Sequence, residues 1–104
     1  MKLITDNIHH LRQICEKYMV RKLYVFGSIL TARFNEESDV DFSVDFNAEE
    51  INRHKMDWSD IFFGLIESLE QLFGRKVDLI DERYISNKYF RKELDNTKIL
   101  VYES

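Results

Sequence analysis

The 104-residue chain contains no proline, three glycines and a single cysteine. Without proline, and with glycine this scarce, collagen-like, proline-rich and glycine-linker architectures are excluded, and a second domain on a tether is not expected. Cys15 has no partner for an internal disulfide, so nothing calls for an oxidising compartment. Long hydrophobic runs are missing as well. The longest apolar stretch, IFFGLI at 61–66, is far below the roughly 20 residues of a membrane span. The amino-terminal MKLITDNIHHLRQIC has no apolar core of signal-peptide length. A cytoplasmic protein without membrane association is therefore expected. Basic residues are in the minority, 15 Lys and Arg against 19 Asp and Glu, for a net charge of −4. That balance speaks against a nucleic-acid-binding protein, which normally carries a basic stripe.

What is present is a folding composition, 44% hydrophobic and 33% charged. Surface scaling gives a folded area of roughly 6,200 Å² against roughly 18,000 Å² for the extended chain, enough burial for one core and not for two. One domain over residues 1–104 is the expectation.

Ile8, Leu11, Ile14/Cys15 and Tyr18/Met19 recur at three-four spacing, which predicts a helix over 6–19 started by Thr5, Asp6 or Asn7. Cys15 lies on its apolar face and is read as a core side chain. His9 and His10 are adjacent, lack the i, i+4 spacing of paired metal ligands, and are read as surface residues. Leu23–Phe26 predicts a strand running into a tight turn at Gly27-Ser28, followed by a short helix over 29–34 and a polar connection over 35–38. Residues 39–46 show the clearest alternation in the chain. Val40, Phe42, Val44 and Phe46 share one strand face, and Asp39, Asp41, Ser43 and Asp45 share the other. Asn47 and Glu50 resemble a capping box. Trp58 through Phe73 carries a broad apolar stripe, read as a core helix that stops at Gly74. Strands are predicted at 76–80 and 99–102, and a helix over 87–95 with Phe90 and Leu94 inward. Helices alternating with strands predict an α+β fold, a small mixed β-sheet with helices packed on it.

Aspartate disfavours strands, yet one strand face carries three of them. Asp39 and Asp41 project to the same side, with their carboxylates roughly 6–7 Å apart at strand rise. At that spacing like charges repel unless water or a cation lies between them. A solvated acidic face on an edge strand is the competing explanation. Three features count against it. The Asp-x-Asp opens the strand just after a loop, Asp78 adds a third acid on another strand, and the earlier strand ends in Gly27-Ser28. Such a turn offers backbone N–H groups and a hydroxyl to a phosphate. Three hard oxygen ligands beside a phosphate cradle are what two Mg²⁺ ions and a nucleoside triphosphate require.

Phe26-Gly27-Ser28, ten residues, then Asp39-Val40-Asp41 resembles the GS-x10-DxD signature of the DNA polymerase β-like nucleotidyltransferase superfamily. VFGSILTARFNEESDVDFSVDF, GRKVDLIDE and NKYFRKELDNTKILVYE are similar to the minimal nucleotidyltransferase (MNT) proteins, a resemblance running from about residue 9 to the carboxyl end. It implies the polymerase β-like palm fold and a Mg²⁺-dependent transfer of a nucleoside monophosphate, AMP from ATP, to an acceptor hydroxyl. By the same resemblance, Gly27 and Ser28 hold the β- and γ-phosphates, and Asp39 and Asp41 bridge two Mg²⁺ ions. Asp78 binds the metal nearer the attacking hydroxyl and helps take its proton. Many MNT proteins are antitoxins paired with a helical HEPN-type toxin, and some modify a tyrosine of that partner. Family members often carry arginines and a glycine just after Gly-Ser, where this chain has Ile29, Leu30, Thr31 and Ala32, and Arg33 is the nearest basic stand-in. That departure sustains an alternative, an antitoxin that neutralises its partner by contact with weak or lost catalysis. A phospho-acceptor receiver domain is excluded, because Gly-Ser stands where its acidic pair follows the first strand. Asp45, Glu36, Glu37, Glu49 and Glu50 are read as solvated acids. With the chain spent on the transfer core, the acceptor is expected to bring its own recognition surface.

Overall fold

A computed structural model describes residues 1–104. The apolar alternations become strands β1 (Val20–Phe26), β2 (Val40–Phe46), β3 (Val77–Asp81) and β4 (Ile99–Glu103) of one sheet, in the order β3-β2-β1-β4. β1 runs antiparallel to both β2 and β4, and β2 runs parallel to β3, so the sheet is mixed as expected. A parallel pair needs a crossover rather than a hairpin. Here α3 (Ala48–Arg53) and α4 (Trp58–Phe73) supply it. The remaining helices are α1 (Lys2–Thr5), α2 (Ile8–Lys17) and α5 (Lys88–Thr97). No helix is long and apolar enough to cross a membrane.

The inward faces of β1 and β2 meet α2 and α4. Val40, Phe42, Val44 and Phe46 are buried with Leu23 and Val25 against Leu11, Cys15, Leu65, Leu69 and Phe73. The Phe42 ring stacks on Phe73 with centroids 5.8 Å apart. Burial, aided by Glu16, pushes the Cys15 thiol up to about 12, so it is an inert core group. α5 covers part of the opposite face. Leu94 is buried there, apart from the main core, and Phe90 sets its ring edge-on to Phe26 at 6.2 Å.

Several boundaries differ from the sequence expectation for physical reasons. The predicted helix over 6–19 is α2, Ile8–Lys17, and a separate short α1 precedes it, with the Asn7 side chain donating back to the Leu3 carbonyl at 2.8 Å between them. The short helix over 29–34 is a single 3-10 turn over Gly27–Leu30. Asn47 caps α3 by accepting from the Glu50 N–H at 3.2 Å, but the Glu50 carboxylate turns to Arg53 and His54. The reciprocal half of a capping box is absent because the Asn47 N–H already donates to the Met19 carbonyl at 2.8 Å. The α4 stripe is wider than the core it serves: Phe63 is 62% exposed, and Trp58 is half-buried beneath the Arg83 guanidinium at 4.0 Å. The folded surface, 6,713 Å², exceeds the scaling value, in keeping with a flattened 42 × 32 × 20 Å body.

α2 and α4 approach closely at Gly64, where a Cβ would run into the Tyr18 ring, whose hydroxyl accepts from Ser68 Oγ at 3.3 Å. Gly64→Ala is expected to lower the urea midpoint despite a helix-propensity gain of about 1 kcal/mol. Overpacking against a rigid ring costs about 1–3 kcal/mol. With Tyr18→Ala in the same chain the alanine turns stabilising relative to glycine. A raised midpoint for Gly64→Ala alone would show that the ring moves aside freely.

Candidate active site

The site is built by strand register. β1 pairs with β2 so that Phe26 lies opposite Asp41, and β3 pairs with β2 so that Asp78 lies beside Asp41. Paired residues share a face, so Asp41 and Asp78 stand side by side on the face opposite the core. Gly27 follows Phe26 directly and turns against Asp41. Its φ of +78° suits glycine, and a Cβ there would collide with the Asp41 carboxylate. Space and backbone both demand glycine. Asp39 precedes β2 in extended chain and is exposed, Asp78 is exposed, and Asp41 is half-buried.

Burial pushes the Asp41 carboxyl above the ordinary aspartate value, and the neighbouring Asp78 and Asp39 carboxylates push it the same way. Both other predicted acids thus act on Asp41. The three are not drawn into a cage: no three His, Cys, Asp or Glu side chains converge tightly enough to enclose a cation. Strand register sets where they stand. An open set of carboxylates suits Mg²⁺, which keeps waters and is usually held by one or two carboxylates together with substrate phosphates.

The Gly27–Leu30 turn is fastened at both ends. Ile29 is buried in the main core, so the departure from the arginine-rich pattern reflects hydrophobic anchoring of this turn. Thr31 closes it, its N–H and hydroxyl both donating to the Ser28 carbonyl at 2.9 and 2.8 Å. The Ser28 hydroxyl makes no hydrogen bond within the protein, while Arg33 is exposed with its guanidinium in no ion pair.

Sequence reasoning missed two supporting groups. Arg75, just after Gly74, lies over the Phe34 ring at 4.8 Å and donates to the Asn35 and Ser38 carbonyls at 2.9 and 3.0 Å. It thereby sets the loop that delivers Asp39. Glu82 accepts from Ser43 Oγ at 2.8 Å, Arg91 Nη1 at 2.9 Å and Lys98 Nζ at 3.1 Å. Ser43 is fully buried two residues beyond Asp41, so this network ties α5 to the face that carries the acids. Only the basic residues following Gly74 and on α5 hint at either group in the sequence. Beside the turn, a cleft of 480 Å³ is lined by Gly27, Leu30, Thr31, Glu93, Thr97 and Ile99. Asp45 lies near Arg83 at the other end of β2, away from the acidic trio.

Residues 9–104 match the family described as Polymerase beta, Nucleotidyltransferase. A Methanocaldococcus jannaschii chain provisionally named a protein adenylyltransferase is 35% identical over 92 residues, covering 88% of this chain and 87% of the relative. Protein adenylyltransferase MntA of Thermococcus cleftensis is 41% identical over 71 residues, covering 68% and 65%. A solved structure provisionally named a minimal nucleotidyltransferase superposes with a TM-score of 0.71 at 25% identity, covering 95% of each chain. A chain from a tri-AMPylated Shewanella oneidensis HEPN toxin in complex with MNT antitoxin shares the fold, with a TM-score of 0.64 at 18% identity, covering 96% of this chain and 72% of that one. With nearly its whole length matched and the mixed sheet of its structural neighbours, the chain belongs to the polymerase beta nucleotidyltransferase family and is a nucleotidyltransferase.

Proposed function

We propose that the chain transfers AMP from ATP to a tyrosine hydroxyl of a helical, HEPN-type partner, acting as the antitoxin of such a pair in the cytoplasm. The observation that carries this is the row Phe26, Asp41, Asp78 across β1, β2 and β3, with Gly27 turning against Asp41 just after β1 and Asp39 two residues before Asp41. The relatives named protein adenylyltransferase and the AMPylated HEPN complex among its structural neighbours support the acceptor class.

In this reading Gly27 keeps the space beside Asp41 free of a side chain, so a triphosphate approaches the turn closely. Ser28 donates its unengaged hydroxyl to a phosphate oxygen. Asp39 and Asp41 would hold two Mg²⁺ ions, with Asp78 as a further ligand. Bound there, the ions would offset charge developing on the phosphates. Asp78 also orients the acceptor hydroxyl and receives its proton as the oxygen attacks the α-phosphorus. The bond from that phosphorus to the bridging oxygen breaks, and pyrophosphate leaves. The acidic face offers nothing to a nucleic-acid backbone, which favours a protein acceptor.

Asp39→Asn with Asp41→Asn is expected to abolish transfer of label from α-phosphate-labelled ATP to a co-expressed helical partner, with the circular dichroism spectrum retained. Losing several kcal/mol of charge stabilisation lowers the rate on the order of 10³-fold or more. Labelling at the wild-type rate would remove these residues from catalysis and leave neutralisation by contact. A second expectation concerns Asp41 alone. Its carboxyl titrates higher in the native state than in the unfolded chain, so in chelator the ionised wild type is penalised near neutral pH. Asp41→Asn should melt at a higher temperature there. Its advantage should shrink as pH falls through the carboxylate range, where wild-type Asp41 takes up a proton in both states. An advantage independent of pH would place the effect elsewhere.

A further inference from the structure

We propose that the exposed aromatic face made by Trp58, Phe62, Phe63 and Tyr84, at the far end of β2 from Asp41, docks a helix of the partner protein that carries apolar and basic side chains. This rests on the reading of the chain as one that modifies a helical protein, and it says where that protein is held during the reaction.

The face is braced from beneath. Trp58 sets its ring edge-on to buried Phe46 at 5.7 Å and donates from Nε1 to Asn52 at 3.0 Å. The Arg83 guanidinium covers that ring at 4.0 Å and lies 5.0 Å from the centre of the Tyr84 ring. Asp81 fixes the guanidinium from two sides, at 3.1 Å from Nε and 2.7 Å from Nη2. Phe62 and Phe63 meet edge-on at 5.4 Å, and these groups line a hollow of 290 Å³. Phe63 is 62% and Tyr84 75% exposed, a cost to the free surface that a covering partner removes. Tryptophan, tyrosine and arginine held rigid in one patch are the residue types that carry binding energy at protein interfaces.

Charge selects the occupant. Asp60, Phe63 and Glu67 follow one another at three- and four-residue spacing on the outer face of α4. The ion pairs of this region, Arg53 with Glu50 and Arg83 with Asp81, leave both of those acids unpaired. From Asp57 to Phe73 the chain has four acids and no Lys, Arg or His, and Lys55 just ahead of that stretch offsets one of them. A second copy is repelled, because on a two-fold axis through Phe63 the Asp60 of one α4 would face the Glu67 of the other. An anionic surface such as nucleic acid is repelled likewise. A helix with an apolar row flanked by Lys or Arg satisfies the rings and the acids together. Arg83 lies near Asp45, which follows Asp41 by four residues on β2, about 13 Å at strand rise. A partner seated there leaves the acidic row open, so docking and transfer use separate surfaces.

Trp58 is the only tryptophan in the chain, so fluorotryptophan incorporated into this protein alone gives a single fluorine resonance that reports on the patch. Adding the unlabelled HEPN-type partner should shift it. Phe63→Ser and Tyr84→Ala, both at exposed positions, should each raise the Kd of the complex about tenfold or more. In the labelling assay they should raise the KM for the partner by a like factor, with kcat at saturating partner and the KM for ATP unchanged, as loss of uniform binding requires. Asp60→Asn with Glu67→Gln should weaken the complex at low salt and flatten its salt dependence. A resonance unmoved by saturating partner, or wild-type Kd values for both Phe63→Ser and Tyr84→Ala, overturns the docking surface and leaves AMP transfer standing. Self-association of the chain alone that Phe63→Ser abolishes makes a second copy the occupant and overturns it too. A complex sensitive to both substitutions whose partner receives no label overturns the transfer reading and leaves the docking surface. A pair that neither binds nor is labelled overturns both.

Discussion

The register of β2 is the constraint on which the rest depends. Val40, Phe42, Val44 and Phe46 are all buried in the main core, so a slip of one residue would bury Asp39, Asp41 and Asp45 and expose four apolar side chains. No set of local contacts compensates for that exchange. With the register locked from the core side, the acidic side follows without further specification. Asp41 falls opposite Phe26, whose successor Gly27 turns against it, on one neighbour and beside Asp78 on the other because each neighbour pairs with the same strand. Hydrophobic burial on one face of the sheet therefore positions charge on the other, and it does so on rigid backbone rather than on a loop.

Holding unlike environments on the two faces has an electrostatic cost, which appears at Asp41 as a raised carboxyl pKa. Two residues along the same strand the problem is solved differently. Ser43 is fully buried, and its hydroxyl is satisfied by Glu82, which in turn is neutralised by Arg91 and Lys98. Lys98 also lies 4.1 Å from the centre of the Tyr24 ring, the β1 neighbour of Ser43. One end of the acidic face is closed by paired charges and the other is left unpaired. The unpaired end is the one that faces the phosphate-binding type of turn.

Those features that depend on near neighbours in the chain are legible in the amino-acid sequence itself. The 39–46 alternation, the spacing from Gly27-Ser28 to Asp39-Val40-Asp41, and the bounds of α4 from Trp58 to the left-handed Gly74 all follow from local chemistry. α1, which Asn7 separates from α2, and α3, which follows its Asn47 cap, are too short for periodicity to register. The burial of Ile29 is hidden because a 3-10 turn of four residues has no pattern of its own. Arg75 and Glu82 reach partners about 40 positions away, and nothing local marks either as a structural anchor. The cleft beside Gly27 is invisible for the same reason, since its walls come from the turn, α5 and β4.

The way α5 is attached has a kinetic consequence. α2 and α4 sit on an extensive apolar interface, but α5 contributes one fully buried aliphatic side chain, Leu94, and is otherwise fastened by Phe90 against Phe26 and through Glu82. A single acid shared by two cations and a buried serine couples their release, because Ser43 is left with no water to replace Glu82. With so little apolar burial, this helix is expected to open more readily than α2 and α4, which amide exchange would register. Such opening would move one wall of the cleft while the acidic row stays on the sheet, separating departure of a bulky product from preservation of the reacting geometry.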